Sequence, residues 1–229
     1  MNIFSFLLLP VLFAAALFFL LAALYFLLLI PRFRSPDCGA LMGYYYAHRG
    51  LHNLNEGVPE NSMKAFRLAV EKGYGIELDV QLSADGIPVV FHDNTLTRMC
   101  GVDRHVRELT LAELKALSLG GTKEQIPTFQ EFLEMVDGRV PLIVEIKMEK
   151  WDARIPAAAN ELLKEYKGPY CIESFHPGAL VWYRKHRPDV FRGQLCTNLN
   201  KEDLDQRVPF FLVGKMLTLI AARPELIAY

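Results

Sequence analysis

Gly75-Ile76-Glu77-Leu78-Asp79-Val80 decides the fold. In an extended strand, residues i and i+2 point to the same face, so Glu77 and Asp79 share one side of an otherwise apolar run. Three further segments have the same design, an apolar run that ends in reactive side chains. They are Tyr44-Tyr45-Tyr46-Ala47-His48-Arg49-Gly50, Pro88-Val89-Val90-Phe91-His92-Asp93 and Pro141-Leu142-Ile143-Val144-Glu145-Ile146-Lys147. Glu145 and Lys147 again share a face. Four such strands laid side by side bring His48, His92, Glu77, Asp79, Glu145, Arg49 and Lys147 to one rim. That set suits metal-assisted cleavage of a phosphodiester.

Outward from these runs, strand-like segments alternate with helical patterns, the signature of parallel βα units. Strands are expected near 43–48, 75–80, 87–92, 141–146, 170–174 and 191–196, with 226–229 beginning a seventh. A helix over 62–72 carries Met63, Phe66 and Val70 on one face and stops at Gly73. Capping boxes at Thr110-Leu111-Ala112-Glu113 and Thr128-Phe129-Gln130-Glu131 start two more helices. Helices are also expected over 152–166 and 177–185, and a buried one over 210–222. The connection from Gln81 to Gly86 is too short for a helix, whereas parallel neighbours normally need a longer crossover.

The candidate residues divide by chemistry. Glu77, Asp79 and Glu145 offer only hard oxygen ligands, which suit Mg²⁺, Ca²⁺ or Mn²⁺ better than Zn²⁺. Crowded without a cation, three carboxylates repel and at least one pKa rises. His48 and His92 titrate near neutral pH, as an acid/base pair requires. Arg49 offers a fork and Lys147 a point charge to phosphate oxygens; charge balance for Glu145 is the plainer role for Lys147. Capping suffices to explain Asn61. Asp93 is expected in a turn or supporting role, His176 at the surface, and Trp151 and Trp182 in packing. His52, His105 and His186 receive no role.

Seven stretches occur in one order: His48-Arg49-Gly50, Pro59-Glu60-Asn61-Ser62, Glu77-Leu78-Asp79-Val80, Asp85-Gly86 leading into Val89-Val90-Phe91-His92-Asp93, Ile126-Pro127-Thr128, Glu145-Ile146-Lys147 and Ser174-Phe175. In these the chain resembles the glycerophosphodiester phosphodiesterase family, from about Tyr46 to its end. The resemblance implies a TIM-type (β/α)8 barrel in which the unit at 81–86 lacks its helix. It implies that His48 and His92 are the acid/base pair. It also implies metal-dependent hydrolysis of a glycerophosphodiester, or of a lysophospholipid, to glycerol 3-phosphate and an alcohol. Ser62 stands where the family usually has Thr, and His176 where it commonly has an acid. The tryptophan-threonine pattern of the family's eighth strand does not follow, and the residues beyond the linker fall short of the ~250 of a typical closed barrel. An incomplete barrel of six to seven strands is therefore expected, with edge groups left unpaired. Rival readings are a phosphatidylinositol-type phosphodiesterase and a non-catalytic membrane-bound fragment.

The chain has 229 residues with 25 basic and 26 acidic side chains, so a net charge of -1 carries no nucleic-acid footprint. Residues 3–30 hold no charge. At ~1.5 Å per residue, such a helix exceeds the ~30 Å hydrocarbon core of a bilayer. A cleaved signal peptide would need a basic leader and an apolar core of ~7–15 residues, and neither fits. Arg32 and Arg34 follow the run, which by the positive-inside tendency puts the remainder in the cytoplasm. The expected organisation is a single-pass transmembrane anchor over 1–31, a linker over 32–42 and the barrel over 43–229. Cys38, Cys100, Cys171 and Cys196 form no close-spaced pair and read as free thiols. The sequence sets no oligomeric state.

Overall fold

The computed structural model describes residues 3–29, 35–196 and 218–228. Helix α1 (Ile3–Leu29) contains Pro10 and no charged residue. Its stretch Leu9–Leu27 is long and apolar enough to cross a membrane and buries nothing against the rest of the protein. Arg32 and Arg34, which carry the orientation expectation, lie outside the described residues.

The remainder is built around one curled seven-stranded sheet. Strands β1 (Tyr46–His48), β2 (Gly75–Leu82), β3 (Pro88–Val90), β4 (Leu142–Ile146), β5 (Tyr170–Ser174), β6 (Phe191–Leu195) and β7 (Leu226–Ala228) follow the chain. Six are parallel, in the order β1-β2-β4-β5-β6-β7. Among the described residues this path ends at β1 and β7. The expected helix over 210–222 falls partly outside the described residues; Leu219–Ala222 is helical.

The strand near 87–92 departs from expectation. It is shorter, and it runs antiparallel to β2, with Val80 opposite Val90 and Leu82 opposite Pro88. The physical reason lies in the connection. A stretch too short for a parallel crossover is ample for a hairpin, so β3 folds back on β2 instead of taking a place in the barrel order. β4 thereby becomes the parallel neighbour of β2, with Asp79 opposite Glu145. His92 lies two residues past β3 rather than on it.

Helices α2 (Met63–Glu71), α5 (Phe129–Val136), α6 (Arg154–Glu165) and α7 (Pro177–His186) pack on the outer face of the sheet, and short helices α3 (Thr97–Cys100) and α4 (Leu111–Lys115) follow the hairpin. The main core joins Ile76, Leu78, Val80, Leu142, Val144 and Ile146 of the strands to Phe66, Phe129, Phe132 and Leu163 of the helices. A second cluster around Phe91, Leu96, Leu114 and Ile126 packs beneath the hairpin. Both expected capping boxes form: Thr110 accepts from the Glu113 N–H, and Thr128 from the Glu131 N–H. Trp182 packs against Tyr183 and His186. Trp151, also expected in packing, lies against the His176 ring at 6.4 Å between centroids but stays 56% exposed, because it follows β4 on the open rim.

Candidate active site at the strand ends

Alternation along β2 aims Ile76, Leu78 and Val80 at the helices and Glu77 and Asp79 into the concave face. Register then fixes the neighbours. His48 lies opposite Glu77 on β1, and Glu145 opposite Asp79 on β4. The ligand oxygens of Glu77, Asp79 and Glu145 all lie within 4.8 Å of one another.

Two tight turns complete the wall. Arg49 adopts a left-handed φ of 57° and Gly50 one of 80°. A Cβ on Gly50 would meet Ala65 Cβ at 2.9 Å, so the turn can press against α2 only as glycine. In this pose the Arg49 backbone N–H donates to Glu77 Oε2 at 3.0 Å, and its Nη1 donates to Glu60 Oε1 at 2.9 Å. Asn61 is also left-handed, at φ 52°, and its Nδ2 donates to Asp79 Oδ2 at 2.8 Å. The expected capping role of Asn61 belongs instead to Ser62, whose Oγ accepts from Ala65 N at 3.1 Å.

Lys147 Nζ lies 2.8 Å from Glu145 Oε1 and 3.1 Å from Asp79 Oδ1. It thus balances two of the three acids, consistent with the plainer reading of that residue. His48 Nε2 is 3.8 Å from Glu77 Oε2, and its side chain is 68% exposed. His92 Nδ1 is 2.7 Å from Asp93 Oδ1. An ionised carboxylate only accepts, so Nδ1 carries the proton and Nε2 is left free. Asp93 in turn accepts from Arg98 Nε at 2.6 Å.

The charges are strongly perturbed. Burial, then the Asp79 carboxylate, pushes Glu77 up to about 8. Burial, together with Asp79, pushes Glu145 up to about 7, against the pull of Lys147. Burial would also raise Asp79, but Lys147, His92 and the Asn61 amide outweigh it and hold this carboxyl low. Both histidines are depressed, His92 by burial and Lys147, and the more exposed His48 by the partial burial of its ring and by Arg49. Two acids therefore hold protons near neutral pH unless a cation replaces them. The donors fit a hard divalent ion: all are carboxylate oxygens, and they converge within 4.8 Å of one another.

A cavity of about 540 Å³ opens beside Lys147, with Gln81, Ser83, His105, Arg107 and Trp151 in its walls. Three site features had gone unread in the sequence: the Asn61–Asp79 bond, the Asp93–Arg98 pair, and Glu173, which stands opposite Glu145 on β5 and is 8% exposed. The one sequence signal for Glu173 is an acid inside the strand-like run Tyr170-Cys171-Ile172-Glu173-Ser174. His176, expected at the surface, is half-buried and caps α7, its Nδ1 accepting from Gly178 N at 3.1 Å.

The profile of the Glycerophosphoryl diester phosphodiesterase family matches residues 48–218. A glycerophosphodiester phosphodiesterase of Caldanaerobacter subterraneus is 40% identical over 161 residues, covering 65% of each chain. Human glycerophosphodiester phosphodiesterase 1 is 31% identical over 157 residues, covering 63% of this chain and 46% of its own. The chain thus spans less than two thirds of the length of these curated relatives. Among solved structures, an Oleispira antarctica phosphodiesterase in complex with the product sn-glycerol-3-phosphate superposes with a TM-score of 0.64 at 28% identity, covering 82% of this chain and 85% of that one. A glycerophosphodiester phosphodiesterase of Thermotoga maritima gives 0.59 at 29% identity, covering 81% and 73%.

Proposed function

The chain belongs to the glycerophosphoryl diester phosphodiesterase family, and from that premise we propose that it hydrolyses glycerophosphodiesters to glycerol 3-phosphate and an alcohol. The observation that carries the reading is the convergence of Glu77, Asp79 and Glu145 on one point, flanked by two histidines and two cations.

In this reading the three carboxylates hold one divalent cation, Mg²⁺ or Ca²⁺, with Mn²⁺ a third candidate. Such an ion, when bound, neutralises charge on the phosphate oxygens. Arg49 and Lys147 bind those oxygens as well. His48 and His92 divide the two proton transfers between them. One takes the proton of the attacking oxygen as the new P–O bond forms. The other gives its proton to the alkoxide as the old P–O bond breaks. Asp93 keeps the His92 ring in the tautomer that leaves Nε2 free. The polar cavity beside Lys147 suits the alcohol of a small headgroup.

The test is release of glycerol 3-phosphate from a panel of glycerophosphodiesters by the full chain in detergent, with added divalent cation. Turnover of at least one is expected, with Glu145→Gln losing it. Equal turnover by wild type and Glu145→Gln would reject the site assignment.

We propose the same organisation as the sequence suggests: an anchor over 1–31, a linker over 32–42 and a catalytic domain over 43–229 facing the cytoplasm. The uncharged, unburied helix α1 supports the anchor and favours lipid-derived substrates, lysophospholipids included. Mass spectrometry of the mature protein is expected to find α1 still attached; a new N-terminus after it would reject the anchor. Digestion of the domain by protease added to intact cells would reject the orientation alone.

A further inference from the structure

Arg98, on α3, is a guanidinium that the proposed chemistry does not use. Its Nε donates to Asp93 Oδ2 at 2.6 Å and its Nη2 to Asp93 Oδ1 at 3.0 Å. The same Nη2 donates to Glu60 Oε1 at 2.6 Å, and Nη1 donates to Glu60 Oε2 at 3.0 Å. One planar fork thus grips both oxygens of two different carboxylates. Each carboxylate has a second partner. Asp93 bonds His92 Nδ1 at 2.7 Å, and Glu60 bonds Arg49 Nη1 at 2.9 Å. The result is an unbroken chain, His92–Asp93–Arg98–Glu60–Arg49, from one proton-transfer candidate to one phosphate-binding candidate.

We propose that Arg98 is a positioning residue that ties His92 to Arg49, holding the imidazole through Asp93 and the phosphate-binding guanidinium through Glu60. The inference rests on the roles proposed for those two groups. Geometry makes the case. Arg98 is 48% exposed at its side chain, so core packing does not account for it. An isolated half-exposed ion pair stabilises little, but a doubly two-toothed fork fixes direction as well as distance. Lysine keeps the charge and loses the fork.

Removal of Arg98 changes both ends at once. Glu60 then draws Arg49 with its whole charge and competes with the phosphate for it. Asp93 is left free to rotate, and the His92 ring with it.

The test uses the full chain in detergent and four variants. Asp93→Asn is expected to lower kcat about tenfold with KM little changed, because it acts on proton transfer. Glu60→Gln is expected to raise KM about tenfold with kcat little changed, because it acts on binding. Arg98→Ala should show both defects, and millimolar guanidinium should restore part of the loss. Arg98→Lys should restore less of it, since one ammonium cannot fork two carboxylates. Two readouts need no turnover. Nitrogen NMR of the His92 ring should show the Nδ1–H tautomer in wild type and a mixture in Arg98→Ala. Calorimetry should show weaker binding of inorganic phosphate by Arg98→Ala.

If Arg98→Ala keeps wild-type kcat, KM, tautomer and phosphate affinity, the linkage is wrong while the enzyme reading stands. If the tautomer and phosphate affinity move as expected but wild type cleaves no glycerophosphodiester, the enzyme reading fails while the linkage stands. A general loss in all four variants that tracks a lower Tm, with no kcat-against-KM split, also overturns the linkage.

Discussion

Alanine at His92 is expected to cut kcat by at least ~10²-fold, and alanine at His48 to do the same, as for a removed acid or base. Both lie on the edge of β2 away from β4: His48 ends β1 beside Glu77, and His92 follows the hairpin strand β3 with its ring fixed by Asp93. The fold should survive both changes. The His48 side chain is 68% exposed and that of His92 30% exposed, so neither fills the core. Steady-state kinetics with a thermal melt on each variant makes the measurement. Near-normal kcat in either variant would remove that residue from the mechanism.

The second large effect is on the cation. Chelation of divalent ions is expected to abolish turnover, and Asp79→Asn to abolish it irreversibly, since Asp79 sits between Glu77 and Glu145 and is fully buried. A pH signature accompanies this. Glu77 and Glu145 have carboxyls raised to about 8 and about 7. The cation-free folded protein therefore holds protons that the unfolded chain has already released, so its stability falls as pH rises from about 5 to about 8. Asp79 has the opposite sign: its low carboxyl pKa stabilises the fold above the ordinary aspartate range, and that support is lost only in acid. A divalent cation must displace the two protons, so its affinity should climb through the same window and level off above it. Melting curves at several pH values, with and without Mg²⁺ or Ca²⁺, check this. A cation-free Tm that rises between pH 5 and 8 would show that the two carboxyls are not raised.

Much of the concave face was legible because strand periodicity is local. Glu77 and Asp79 are two residues apart, and the hydrophobic partners between them leave one way to turn. Glu145 and Lys147 follow the same rule on β4. Chain direction was not legible in this way. A run such as Pro88-Val89-Val90 has the same alternation whether it runs with or against β2, and only the length of the preceding connection separates the two cases. Asn61 and Arg98 were illegible for another reason. The acid that Asn61 reaches lies 18 residues away, and one of the two that Arg98 grips lies 38 away; a polar residue before a helix, as Asn61 is, looks like a cap until the distant acid is known. Glu173 was hidden because its position opposite Glu145 depends on how β5 pairs.

Arg49 and Asn61, the two left-handed residues beside the acidic cluster, have a practical consequence for protein engineering. A side chain in that backbone region costs on the order of 1 kcal/mol or more, and glycine relieves it. Here the two turns are also latched together, the Asn61 N–H donating to the Arg49 carbonyl at 2.9 Å. A thermostability campaign that ranks variants by melting temperature alone will be drawn to glycine at both positions. It would thereby delete the guanidinium and the amide that those turns exist to aim. Selection for heat tolerance in this protein therefore needs a parallel turnover screen, with positions 49 and 61 held fixed from the outset.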